Sequence, residues 1–115
     1  MPKFNINKLR SAGLRYLVVD VDGQMWAFEA MPVREDGHWI LSDEYLCPPE
    51  YGEAYLEHWK RVARWRIKGR MLCMPIFDAP VELTFDDEPF DIVANGLVAK
   101  ADLKVWPDIK TWISI

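Results

Sequence analysis

The chain has 115 residues, half of them hydrophobic and 28% charged, with a net charge of −4. That balance excludes a disordered or fibrous chain, and the length fits one domain over residues 1–115 that buries a core without disulfides or metal. No run approaches the length of a membrane span, and the apolar stretch 14–19 is too short for a secretory signal, so a cytoplasmic protein is expected.

Taken in order, residues 1–13 are polar and read as a lead-in or a loose arm. Leu14 to Val21 is β-branched and apolar enough for a strand. Asp22-Gly23 follows, and then a second strand-like run from Gln24 to Met31. A DG pair between two such runs signals a hairpin with a two-residue turn. That turn sets Val21 opposite Gln24, Val19 opposite Trp26 and Leu17 opposite Phe28. One face then carries Leu17, Val19, Val21, Trp26 and Phe28. Residues 32–37 read as a turn and 38–41 as a short third strand.

The longest element is expected between Pro49 and Gly69. At about 100° per residue, Tyr51, Tyr55, His58, Trp59, Val62 and Trp65 share one side of a helix. Glu50, Glu53, Glu57, Lys60, Arg61, Arg64 and Lys68 share the other. Pro48 and Pro49 suit its entrance and Gly69 its exit. His58 lies on the apolar side and reads as a packed histidine.

After the helix, Met71 to Phe77 reads as a strand that Pro75 places at an edge or breaks. Val81 to Phe85 alternates as another. Asp86, Asp87, Glu88 and Asp91 surround Pro89 and read as an acidic loop. Asn95-Gly96 signals a second hairpin, pairing Asp91 with Lys100, with a short helix over 95–103 as its alternative. Residues 103–106 and 109–115 read as two last strands. The fold class is α+β: one long amphipathic helix packed on a mostly antiparallel sheet of about six short strands.

The chemistry is sparse. Cys47, Cys73, His38 and His58 are too scattered for a zinc site, so no metal and no cofactor are expected. Residues 60–70 carry six basic side chains and no acidic one; elsewhere the remaining 8 basic residues face 18 acidic ones, a balance of −10. Lys60, Arg61, Arg64, Lys68 and Arg70 could form a nucleic-acid patch with Trp59 or Trp65 for stacking. The acidic remainder favours a protein partner with a basic surface instead.

The run Val18-Val19-Asp20-Val21-Asp22-Gly23 resembles the first motif of the haloacid dehalogenase superfamily of phosphatases, a hydrophobic strand ending in DxDG. The resemblance implies Asp20 as nucleophile and Asp22 as general acid/base. It also implies Asp86 and Asp87 as the Mg²⁺-binding pair and Lys68 as the family's lysine, a set suited to phosphoryl transfer. It covers about a dozen residues, as a short motif does.

The leading expectation is a non-catalytic, acidic, tryptophan-rich protein-binding module: an inhibitor, adaptor or accessory factor of the kind mobile elements encode. Its expected contacts are Asp86, Asp87, Glu88 and Asp91 with Trp65, Trp106 and Trp112. The alternatives are nucleic-acid binding through residues 60–70 and the Mg²⁺-dependent phosphatase.

Overall fold

The computed structural model describes residues 4–42, 66–67 and 70–107. Strands β1 (Tyr16–Val19) and β2 (Met25–Phe28) form the expected antiparallel hairpin, with a different register. Leu17 pairs with Ala27, Val18 with Trp26 and Val19 with Met25. The loop has three residues, because Asp20 N–H donates to the Gln24 carbonyl (3.0 Å) and Gly23 N–H to the Asp20 carbonyl (2.9 Å). Asp22 Oδ1 accepts from Gln24 N–H at 2.9 Å, the local bond by which aspartate shapes a turn. The slip of one residue moves Trp26 and Phe28 to the face of Val18, opposite to Leu17. Val21, expected inside, is 67% exposed.

A two-residue DG turn does occur, one hairpin later. Strands β3 (Val33–Glu35) and β4 (His38–Ile40) pair antiparallel, with Asp36 and Gly37 between them. Their φ angles are 51° and 80°, and a tight hairpin turn of this twist needs positive φ at both central positions. The residues read as a plain turn over 32–37 thus contain a strand. Val21 N–H donates to the Gly37 carbonyl at 2.9 Å, tying the two hairpin ends together.

The main sheet also holds β7 (Cys73–Ile76) and β8 (Phe90–Asp91), in the antiparallel order β7-β2-β1-β8. Pro75 therefore lies in an edge strand, as its missing N–H requires. It faces Trp26, whose backbone pairs with β1, so by the alternation of the ladder the proline nitrogen points away from the sheet.

Both faces of the sheet are covered. Val18, Phe28 and Cys73 pack with Trp39, Leu41 and Leu72 on one side. Leu17, Ala27 and Ile76 pack with Leu9, Leu14, Ile92 and Val98 on the other. Leu9 comes from α1 (Ile6–Ala12), a helix in the stretch read as a lead-in. Asn5 caps it by accepting Lys8 N–H, and Gly13 closes it in the left-handed conformation.

The fold is thus mixed helix and antiparallel sheet, and among the described residues the helix on the sheet is α1. The long helix expected over 49–68 falls outside the described residues except at Arg66 and Ile67. Those two form β5, paired with β6 (Arg70–Met71), so the helical reading fails there. Residues 81–85 alternate in burial yet form no strand. Asn95-Gly96 closes no hairpin: Leu97 and Val98 N–H both donate back to the Ile92 carbonyl (2.8 and 3.2 Å). The alternative helix over 95–103 shrinks to one 3₁₀ turn, Lys100–Asp102. Residues 103–106 form no strand, and 109–115 lie outside the described residues.

Candidate functional site

The acidic loop is a held turn. Asp87 N–H donates to the Thr84 carbonyl (3.1 Å), and the Asp87 carboxylate accepts Thr84 N–H (2.7 Å) and the Thr84 hydroxyl (3.2 Å). This reciprocal closure fixes residues 84–87 from within. Arg34 fixes them from outside. Its Nε donates to the Phe85 carbonyl (3.1 Å) and a terminal nitrogen to the Asp87 carbonyl (3.0 Å). The guanidinium also lies 4.4 Å from the Trp39 ring centroid and 5.6 Å from that of Phe85. Trp39 and Phe85 meet edge to face at 6.2 Å. Arg34 can do this because it sits opposite Trp39 in the β3–β4 ladder.

Asp86, Asp87 and Glu88 are exposed on this turn. Glu88 is 88% exposed, and its ion pair with Arg34 at 4.0 Å is at the limit of contact. The sequence did not single out Arg34, since its contacts lie about fifty positions away along the chain.

Asp91 does not belong to the exposed set. It forms a two-pronged ion pair with Arg15, Nε to Oδ1 at 2.9 Å and NH2 to Oδ2 at 2.8 Å. Its Oδ1 also accepts Val93 and Ala94 N–H. The expected partner Lys100 is replaced by Arg15 because β8 pairs with β1.

The Arg15 bond, more than the backbone donors, holds the Asp91 carboxyl below its ordinary range. A carboxylate stabilised in the folded state contributes above its unfolded value, near pH 4, and loses that contribution as pH falls through the lower folded value. Asp91→Asn should thus cost about 1 kcal/mol at pH 7, a figure held down by solvent screening. The difference from the parent should close as pH drops below about 4. Urea melts across that range measure it; a gap that is constant with pH would contradict the assignment.

Asp20 sits at the end of β1, where the chain turns back antiparallel, and is 5% exposed. Its Oδ1 accepts Trp39 N–H at 2.9 Å, and its Oδ2 lies 3.4 Å from His38 Nδ1. Asp22 is exposed and occupied with the Gln24 amide. Asp20 therefore anchors one hairpin to the other, while Asp22 shapes a turn. Among the described residues no group of His, Cys, Asp and Glu is arranged to hold a metal ion.

Trp106 is half-buried, and its indole N–H donates to the Ala12 carbonyl at 2.7 Å. Arg70 is withdrawn from the surface, with its side chain 1% exposed against Glu29. Trp59, Trp65, Trp112, Lys60, Arg61, Arg64 and Lys68 lie outside the described residues, as do Cys47 and His58. Among the described residues no helix is long and apolar enough to cross a membrane. No protein-family model, curated protein or solved structure matches the chain.

Proposed function

We propose that the chain is a non-catalytic protein-binding module, an inhibitor, adaptor or accessory factor, that meets a basic protein surface through Asp86, Asp87 and Glu88. The observation that supports this reading is the held acidic turn: three exposed acidic residues on a backbone clasped by Arg34. Ordering a loop opposes binding, so a turn already held at fixed geometry loses less on association. Asp91 leaves the contact set, because Arg15 occupies it. The acidic balance outside residues 60–70 would add long-range attraction for a basic partner.

The test is capture of a partner from host lysate, followed by kinetics with the captured protein. Charge reversal at Asp86 and Glu88 spares the Asp87 closure of the turn. It should slow association about tenfold or more in low salt and change dissociation little, as exposed charges act on encounter. An unchanged on-rate rules the turn out as the contact. A partner that disappears with nuclease and survives charge reversal would reassign binding to nucleic acid through Lys60, Arg61, Arg64 and Lys68.

A further inference from the structure

Arg34 is one link in a longer series of contacts. At its far end is Asp20, buried between the two hairpins, whose carboxylate accepts Trp39 N–H. Trp39 is fastened to the same strand a second time, its indole N–H donating to the Val19 carbonyl at 2.9 Å. The Trp39 ring, 5% exposed, is the floor on which the Arg34 guanidinium lies. Arg34 then spends two donors on the carbonyls of Phe85 and Asp87. Among the described residues Asp20 makes no hydrogen bond to that turn.

We infer that Asp20 governs the conformation of the 84–88 turn at a distance, through Trp39 and Arg34, so that the β3–β4 hairpin and the turn order and loosen together. Among the described residues the hairpin is also attached through Val21 N–H to the Gly37 carbonyl and through the packing of Trp39 and Leu41. A guanidinium can hold two carbonyls and stack on a ring only while that ring stays in place. Coupling of this kind is energetic and reciprocal, so disturbing either end must be felt at the other. The inference is independent of what the turn binds.

Amide hydrogen exchange followed by NMR reads both ends. Asp20→Ala removes the acceptor of Trp39 N–H. Exchange at the Asp87 amide should rise about three- to thirtyfold, the range that packed networks transmit, while the β2–β7 ladder keeps its parent rates. Asp20→Asn retains an acceptor oxygen and should restore most of the protection. If Asp20→Ala speeds exchange in β3–β4 and leaves Asp87 at the parent rate, the coupling does not exist. Should Asp20→Ala fail to fold, Arg34→Lys asks the question in reverse. It keeps the charge and loses the fork, and should speed exchange at the Trp39 amide as well as at Asp87. A Trp39 amide unmoved by Arg34→Lys overturns the inference equally.

Discussion

Glu29→Ala should destabilise the protein by about 3–5 kcal/mol, the cost of breaking a buried ion pair by removing one partner. The side chains of Arg70 and Glu29 are 1% and 3% exposed. Arg70 Nε lies 3.0 and 3.2 Å from the two Glu29 oxygens, and its NH2 reaches Oε2 at 2.6 Å. NH1 donates to the Pro107 carbonyl at 2.6 Å, and the guanidinium stands 5.4 Å from the Trp106 ring centroid. Without Glu29 the guanidinium keeps its charge, since arginine does not deprotonate in proteins. The variant takes away the carboxylate that Nε and NH2 meet, while the Arg70 side chain is buried in the parent.

The pair itself is a different quantity from its broken half. Two charges taken out of water lose much of what they regain from each other. The double variant Glu29→Leu, Arg70→Met should therefore be more stable than Glu29→Ala alone. Urea unfolding of the parent, Glu29→Ala and the double variant tests this ranking. A Glu29→Ala loss of only a few tenths of a kcal/mol would show that the Glu29 carboxylate contributes little to holding Arg70.

The same arginine shows where sequence reading stops. Arg70 belongs to the run of six basic residues over 60–70, and the sequence offers it only as part of a surface patch for nucleic acid. In the structure it belongs to β6, and its partner lies 41 positions earlier in the chain. Nothing local distinguishes an arginine bound for solvent from one bound for a distant carboxylate.

The hairpins show the opposite case. The Asp22-Gly23 hairpin was legible but its loop length was not, and in the sequence Asp36-Gly37 reads only as part of a turn over 32–37. The Asp22 carboxylate binds the Gln24 amide and favours the longer loop, while Asp36-Gly37 takes the tight turn. The register then could not be recovered from the pattern of faces, because both sides of the sheet are buried. When both faces are apolar, a slip of one residue carries little penalty in pattern. The edge position of Pro75 was legible because it follows from a missing donor, not from pattern. For the acidic site, the exposed carboxylates were readable from composition. Arg34 and Arg15, which decide that Asp87 is presented and Asp91 withdrawn, were not.

Helix α1 was missed for a related reason. Seven residues are too few for a periodic signal, and an isolated helix of that length is unstable in water. Its stability must come from tertiary contacts: Leu9 packs into the core, and a second set of contacts meets the helix end at Gly13. Lys104 N–H donates to the Arg10 carbonyl, and the Trp106 indole to Ala12, so the 103–107 segment lies across the end of the helix. Gly13 has a φ of 75°, which costs a residue with a Cβ about 1–2 kcal/mol. A Cβ there would also come within 2.7 Å of the Lys104 carbonyl oxygen and 2.8 Å of two Trp106 ring atoms. Neither neighbour yields easily, since one is backbone and the other a ring held by its own hydrogen bond. Overpacking of that kind adds about 1–3 kcal/mol. Gly13→Ala should then lose roughly 2–5 kcal/mol in urea unfolding, well above an ordinary cap replacement. The loss should be accompanied by faster exchange of the Lys104 amide and of the last turn of α1, because the segment must lift to admit the methyl group. If Gly13→Ala loses only the backbone share, about 1 kcal/mol, with Lys104 exchange unchanged, then Trp106 gives way in place. The segment would then not lie tightly on the helix end.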